Sequence, residues 1–148
     1  MELDETNVKL LKMLREDGRA SLRAIAKELG TSTVTVLNRV NKLKKSGAIK
    51  GFTVKVDPTK LGFGLTALIS LTAKRKHLVE VQKKIALHPN VCGVYDVTGE
   101  FDAVIVARFK NIRELNKFVK EALSSDWVGH TYTQVVLNVF KEDYSVNL

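Results

Sequence analysis

The chain has 148 residues, 45% of them apolar, which suffices for the cores of one or two small domains. Its longest apolar-rich stretch, residues 65–73, is interrupted by polar side chains and is far too short for a transmembrane segment, so no membrane partner is expected. A single cysteine excludes an internal disulfide, and the acidic start Met-Glu-Leu-Asp-Glu is unlike a secretory signal; both predict a cytoplasmic protein.

The formal net charge of +8 is concentrated in one part of the sequence. Residues 19–55 hold nine Lys or Arg and one acid, Glu28, while the other residues hold fifteen basic and fifteen acidic side chains. A concentrated basic block attracts a polyanion such as DNA, because each neutralised phosphate releases condensed counterions. The alternative is a lysine-rich surface that is only solvated.

Three helices are predicted in the first fifty residues. Asp4 is the predicted N-cap of the first, whose apolar stripe ends at Asp17-Gly18. Ser21 caps a short second helix, and Gly30, which can adopt positive φ, ends it.

The third predicted helix begins at Ser32 or Thr33 and ends before Gly47. Its inward side is expected to be apolar, and its outward side polar and cationic with no carboxylate. The inward set is Val36, Leu37, Val40 and Leu43; the outward set is Val34, Thr35, Asn38, Asn41, Lys42 and Lys45, with Arg39 on its flank.

Two helices joined by a Gly-containing turn, the second of them basic on its outward side, are typical of a helix-turn-helix. In the major groove Asn38 can form a bidentate contact with adenine, and Arg39 can reach guanine or a phosphate. An ion pair with Glu28 or Asp17 is the alternative for Arg39, and a helix bundle that contacts only proteins is the alternative for the whole region. The predicted DNA-contacting residues are Ser32, Thr33, Thr35, Asn38, Arg39, Lys42 and Lys45.

After Gly47 the apolar residues alternate, which predicts a strand from Ile49 to Val56 that Asp57-Pro58 ends. Residues 57–64 contain proline and two glycines and read as a hinge. The predicted domains are therefore 1–50 for the helix-turn-helix, 51–64 for a linking strand and hinge, and 65–148 for a second domain.

Residues 65–148 alternate strands and helices in the order βαββαβ, which predicts a ferredoxin-like α+β domain with both helices on one face of an antiparallel sheet. The other face needs a cover, and a homodimer packed sheet to sheet would supply it. Cys92 is expected to be a buried thiol. The predicted strands are 65–73, 91–98, 101–109 and 131–141, and the predicted helices are 77–87 and one capped by Asn111.

An ordered set of residues with characteristic spacing runs along the whole chain: Leu3-Asp4, Leu10-Leu11, Leu14, Asp17-Gly18-Arg19, Ile25-Ala26, Ser32, Leu37, Arg39-Val40, Leu43, Gly47-x-Ile49-x-Gly51-Phe52, Asp57-Pro58, Leu61-Gly62, Val94, Thr98-Gly99 and Phe101-Asp102. Through this set the sequence resembles the Lrp/AsnC, or feast/famine, family of transcriptional regulators. It differs from the family pattern at Asn7, where an acid is usual, and at Asn38, where a second arginine commonly precedes Arg39; both positions concern the DNA sequence preferred.

The resemblance implies an N-terminal helix-turn-helix of winged-helix-like form, a linking strand and a C-terminal ligand-sensing domain. It also implies homodimers that assemble further, often to octamers, and effectors that are usually amino acids. We therefore expect a regulator that binds double-stranded DNA, needs no cofactor and responds to an amino acid. The alternative is a helix-turn-helix architectural or assembly protein with no small-molecule effector.

The turn at residues 98–102 matches the family's ligand-associated loop. Gly99 would let the backbone approach a ligand closely, and Glu100 and Asp102 offer acceptors for an α-ammonium group. A plain hairpin turn and a Mg²⁺ or Ca²⁺ site that includes Asp96 are alternatives. No nucleophile elbow or phosphate-binding glycine loop is present, so we do not expect an enzyme. The predicted effector-binding residues are Gly99, Glu100, Phe101, Asp102, Thr131, Thr133 and Gln134.

Overall fold

The computed structural model describes residues 4–148 and divides the chain into two units, each with its own cluster of buried apolar side chains. The first unit contains the described residues up to Lys55 together with Glu142–Leu148, and the second contains Val56–Lys141. Leu3, one of the residues behind the family resemblance, lies outside the described residues. Within residues 4–148, no helix is both long enough and apolar enough to cross a membrane.

The first unit contains the three predicted helices: α1 (Glu5–Glu16), α2 (Leu22–Glu28) and α3 (Thr33–Lys45). Each predicted N-cap is confirmed, since its side-chain oxygen accepts from the backbone N–H three residues later, at 2.7, 3.1 and 3.0 Å in chain order. Gly30 and Gly47, after α2 and α3, have φ of 63° and 78°, the left-handed conformation that favours glycine.

The core of the first unit lies where the three helices meet. Leu37, which was predicted to face inward, is 43% exposed, because the helical rotation carries it past the interface that Val36 and Val40 occupy. Ile49 packs against the edge of this core. The buried side chains are Leu10, Ile25, Ala26, Val36, Val40 and Leu43.

The predicted linking strand, Ile49–Val56, pairs with no described segment of its own chain, and residues 49–56 have no strand assignment there. A strand requires a neighbour for its backbone hydrogen bonds, and no described segment of the chain pairs with this one. Its alternating side chains Phe52, Val54 and Val56 are accordingly exposed by 50%, 79% and 54%. The hinge itself contains a short 3-10 turn, Thr59–Leu61.

The second unit confirms the predicted α+β fold. Its four strands form one antiparallel sheet in the order β2-β3-β1-β4, and a 3-10 turn, Arg75–His77, precedes its first helix. The elements are β1 (Leu65–Ala73), α4 (Leu78–Ala86), β2 (Val91–Asp96), β3 (Ala103–Phe109), α5 (Ile112–Ala122) and β4 (Val128–Val135).

Four strand boundaries differ from the prediction. β2 ends and β3 begins two residues further from the turn, so the connecting loop is longer than a tight turn. β4 runs from residue 128 to 135 and not from 131 to 141. The register explains the earlier end: Ala67 of β1 pairs with Val135, so Leu137 would lie opposite Leu65, the first residue of β1, and residues 138–141 run past that strand.

The core of the second unit lies between the sheet and its two helices. Alternate residues of β3, from Ala103 to Phe109, are buried, and Phe109 contacts Phe118 of α5 with ring centroids 5.4 Å apart. Cys92 is exposed, which contradicts the predicted buried thiol. A register shift between Val91 and Gly93 places it at a bulge on an edge strand, away from the helices.

Candidate DNA-binding surface and effector site

Helix α3 presents the predicted DNA-contacting residues on its outer surface. Six of the seven are exposed, and Arg39 is half-buried. Four of them line a single cavity of about 400 Å³ on the first unit, together with Asp4, Asn7 and Leu43. The four are Thr35, Asn38, Arg39 and Lys42. An amide, a hydroxyl and two cations therefore lie together on one helical surface.

Ser32 shapes the start of this surface. Its Oγ accepts from the backbone N–H of Thr35 at 3.0 Å and lies 2.8 Å from the Thr35 Oγ1. The hydroxyl that was predicted to contact DNA therefore caps α3. The first N–H groups of an α-helix have no acceptor within the helix, so those of α3 are suited to bind a phosphate next to Thr33.

Arg39 connects α3 to α1. Its Nη1 donates to Asp4 Oδ2 at 2.6 Å and to Asn7 Oδ1 at 3.0 Å. The proposed alternative partners Glu28 and Asp17 are therefore wrong, and the acid that pairs with Arg39 lies 35 residues away in sequence. Asn7, one of the two departures from the family pattern, supplies a neutral acceptor in this network. Nη1 of the guanidinium holds α3 against α1, and the other N–H groups of the guanidinium can donate to further partners.

The pair between Arg39 and Asp4 makes the stability of the first unit depend on pH. The hydrogen bond from Arg39, with a smaller contribution from the backbone N–H of Asn7, holds the pKa of Asp4 below its ordinary value of 3.8. A carboxyl group with a lowered pKa in the folded state stabilises the fold above its ordinary pKa. That contribution disappears as the pH falls through the lowered value.

Asp4→Asn is expected to lower the melting temperature of the first unit at neutral pH and to have no effect in strong acid. Asn is as good an N-cap as Asp, so the substitution removes the charge and leaves the cap. Thermal melts of both proteins at the two pH values test this. A difference of the same size at both would show that the ion pair is not the cause.

The predicted effector loop follows β2. The backbone N–H of Val97 donates to the carbonyl oxygen of Asp102 at 3.2 Å and closes the loop. Gly99 has a φ of 119°, and no residue other than its two chain neighbours has a heavy atom within 4 Å of the position a Cβ would occupy there, so the loop surface is open at this point. Gly99 and Glu100 are exposed, whereas Phe101 and Asp102 are half-buried.

Asp102 is fixed to β1 by two hydrogen bonds. Its backbone N–H donates to the carbonyl oxygen of Leu71 at 2.9 Å, and its Oδ2 accepts from the backbone N–H of Ala73 at 2.8 Å. One carboxylate oxygen therefore holds the loop in place at the end of the sheet. This structural role was not predicted from the sequence.

The three predicted residues of β4 do not share one surface. Thr131 pairs with Leu71 and Thr133 with Ile69, both of which are buried under the helices, so these threonines lie on the helical side of the sheet. Gln134 pairs with Leu68 and lies on the opposite, open side. The structure therefore does not bring Gln134 together with the two threonines.

Tyr132 is the residue that sequence reasoning missed. It lies on the open side of the sheet, between the two threonines in sequence, and its ring stacks on Phe101 with centroids 6.3 Å apart. This contact joins the loop to β4. An aromatic side chain that alternates with exposed polar residues in a strand was the available signal.

The carboxylates near this loop do not form a metal site. Within residues 4–148, no group of three or more His, Cys, Asp or Glu side chains is placed to hold a metal ion. The alternative based on Asp96, Glu100 and Asp102 therefore has no structural support.

Comparison with known proteins gives matches along nearly the whole chain. A family model of the AsnC-type helix-turn-helix domain matches residues 3–44, and one of the Lrp/AsnC ligand binding domain matches residues 66–146. An uncharacterised HTH-type transcriptional regulator of Pyrococcus furiosus is 45% identical over 144 residues, 97% of each chain.

Two solved structures match with TM-scores of 0.89 and 26% identity. One is a transcriptional regulator of Neisseria meningitidis in complex with L-Met, and the match covers 99% of this chain and 97% of that one. The other is a feast or famine regulatory protein of M. tuberculosis complexed with L-methionine, with 98% and 99% covered.

Proposed function

The chain belongs to the Lrp/AsnC family of DNA-binding transcriptional regulators, which are not enzymes, and from this premise we propose that its DNA binding responds to an amino-acid effector. The observation that carries the proposal is the pair of family matches, one to a DNA-binding domain and one to a ligand-binding domain. The L-methionine in the two similar structures supports an amino acid as the kind of effector. The protein would act in the cytoplasm, where its DNA target lies.

On the DNA side, α3 enters the major groove, because only there do base edges distinguish all four base pairs. Asn38, exposed in the cavity on α3, is placed to contact adenine. Lys42 and Lys45 lie further along the helix and neutralise phosphates, since lysine is a flexible point charge. Thr33 and Thr35 lie at the helix start, where backbone N–H groups bind a phosphate.

Asn38→Ala and Lys42→Ala are expected to weaken DNA binding in different ways. Loss of a bidentate base contact costs about 1–3 kcal/mol on the specific site and little on random DNA. Loss of a phosphate contact weakens binding to both and reduces the slope of log K against log salt by about 0.9. Titration of both variants on an operator fragment and on random duplex, at several salt concentrations, measures this. Equal losses on the two DNAs for both variants would remove Asn38 from the role of base reader.

On the effector side, the loop at residues 98–102 supplies groups that can bind the α-ammonium and carboxylate groups of an amino acid. Glu100 and Asp102 accept from an α-ammonium group, and Gly99 lets backbone N–H groups approach a carboxylate. Phe101 and Tyr132 form an aromatic wall beside the loop. Thr131 and Thr133, on the other side of the sheet, contribute only if the ligand reaches around the edge strand.

The effector controls DNA binding through assembly. In this proposal the protein forms dimers that cover the open side of the sheet and then assemble further. An effector that binds one assembly more tightly than another shifts the population toward it and so changes which DNA sites are bridged. Equal affinity for all assemblies would remove the mechanism.

Thermal melts of the purified protein with each of the twenty amino acids at millimolar concentration test the effector proposal. A ligand at ~100 times its dissociation constant adds ~2.7 kcal/mol of stability when it binds only the folded state. One or two hits would identify the effector. Twenty negative melts, with DNA binding intact, would favour the alternative of a DNA-binding assembly protein without an amino-acid effector.

A further inference from the structure

The helices of the second unit carry more cations than acids. These cations are separate from those of α3, to which the DNA-binding role has been assigned. We define the basic helical layer as residues 74–90 and 110–123, which contain α4, α5 and the residues that flank them. It holds nine Lys or Arg and three Glu, a net charge of +6. The rest of the second unit holds three Lys or Arg and five acids, a net charge of −2. The residues outside 19–55 have no net charge in total, but within the second unit the positive charge is concentrated in the basic helical layer.

Most of these cations are not neutralised within the protein. All nine are exposed, and Lys117 is the one of these nine that forms an ion pair with a described residue, Glu121, at 4.0 Å. The other two acids of the layer have different partners. Glu80 lies 3.8 Å from His77 Nδ1, and Glu114 accepts from the backbone N–H of Lys110 at 3.0 Å. Eight exposed cations of the layer therefore have no ion pair within residues 4–148.

Helix stability explains only part of this pattern. Lys83 and Lys84 lie in the last turn of α4 and Lys120 in the last turn of α5, where a cation interacts favourably with the helix dipole. Residues 74–76 lie before α4 and its N-cap His77, outside the helix, so α4 gains nothing from their charges. Arg113 lies in the first turn of α5, where the dipole disfavours positive charge, so this cation costs helix stability. An external anion would offset that cost.

The cleft between the two helices is not the basic part of this layer. It has a volume of about 650 Å³, and Lys84, Lys117, Glu114 and Glu121 all line it, so its walls carry no net charge. The exposed cations outside the cleft are the groups that can contact phosphates. Lysine suits phosphates whose positions vary, since its ammonium group is a flexible point charge. Regular phosphates on a duplex match such exposed cations without any need for sequence recognition.

We propose that the basic helical layer is a second DNA-contacting surface, which binds the phosphate backbone without sequence preference. The proposal rests on the proposed function, because a duplex bound by α3 raises the effective concentration of DNA for any second surface on the same protein. DNA is favoured over an acidic protein or an anionic membrane because the chain already belongs to a DNA-binding family. The second surface would extend the contacted length of DNA and increase the salt dependence of binding.

The test compares two variants of equal charge in the full-length protein. The layer variant carries Lys76→Gln, Lys84→Gln, Arg113→Gln and Lys120→Gln. The control carries Lys9→Gln, Lys12→Gln, Lys60→Gln and Lys141→Gln, which are exposed and lie outside both the layer and residues 19–55. Binding to a long duplex of random sequence is measured at several salt concentrations. Thermal melts establish that both variants fold.

In the layer variant we expect the slope of log K against log salt to fall by about 3 to 4, since each lost phosphate contact removes about 0.9. The control should keep the wild-type slope, and a third variant that exchanges Lys and Arg at the four layer positions should keep it as well. Hydroxyl-radical footprints should shorten only in the layer variant.

Three results would overturn the proposal. Equal slope losses in the layer variant and the control would show a general charge effect, and an unchanged slope in the layer variant would show no DNA contact. A layer variant that keeps the slope but no longer binds anionic vesicles or polyglutamate would assign the surface to a membrane or an acidic protein. In each of these cases the wild type still binds DNA, whereas a wild type without DNA binding would refute the proposed function itself.

Discussion

Ile25→Ala is expected to weaken DNA binding by strongly destabilising the first unit, while the second unit stays folded. Ile25 is fully buried and is one of six buried apolar side chains among the described residues of the first unit. Truncation of such a residue costs about 2–5 kcal/mol, from lost transfer free energy and from the cavity that remains. A small domain has a total stability of about 5–15 kcal/mol, so a unit with so small a core loses a large part of it. The second unit keeps its own, separate core.

Two controls make this result specific. Ile25→Val removes one methyl group and should cost about 0.5–1.5 kcal/mol, with DNA binding retained. Ile112→Ala makes the same chemical change at a residue that is 56% exposed, and should leave both stability and binding nearly unchanged. DNA affinity and calorimetric melts are measured for all three variants. Wild-type affinity in Ile25→Ala, with an unchanged melt, would show that the buried cluster does not maintain the DNA-binding surface.

The sequence predicts the helices well because their start signals are local. Asp4, Ser21, Ser32 and Asn111 each cap a helix through a hydrogen bond that spans three residues, so a short window contains all the information. The strand Leu65–Ala73 begins and ends at the predicted residues, because the apolar run that is buried lies entirely within the segment.

The errors concern features that depend on distant residues. Alternation in residues 49–56 indicates a strand, but a strand forms only beside a partner, and no described segment of this chain supplies one. Cys92 has the neighbours of a buried residue, yet its exposure is decided by a bulge against β3. Neither the pairing of a strand nor a bulge can be read from the segment alone.

The predictions for the candidate sites also succeed where a local pattern decides the outcome and fail where a distant residue does. Helical period places Asn38 and Lys42 outward, as the structure has them, whereas the partner of Arg39 belongs to another helix and is not visible in the pattern. For β4 the sequence did contain the answer. Successive residues of a strand point to opposite sides, so Thr133 and Gln134 could not face one ligand from the same side.

Asp102→Ala is expected both to destabilise the second unit and to remove its response to the effector. The backbone N–H of Ala73 loses its acceptor, which costs about 1–3 kcal/mol for a partly buried donor. The loop at residues 98–102 loses the contact that holds it at the end of β1. A loss of ligand response in this variant alone would therefore not separate the two roles of the carboxylate.

Asp102→Asn separates them. Asn keeps an oxygen for the Ala73 N–H, so the melting temperature without ligand should stay close to that of the wild type. It lacks the negative charge that an α-ammonium group requires, so the ~2.7 kcal/mol of stabilisation at ~100 times the wild-type dissociation constant should largely disappear. Glu100→Gln makes the same kind of change at the other proposed ammonium acceptor, which is exposed, and is measured for comparison. If Asp102→Asn keeps the full ligand shift while Glu100→Gln loses it, Glu100 is the ammonium acceptor and Asp102 only positions the loop.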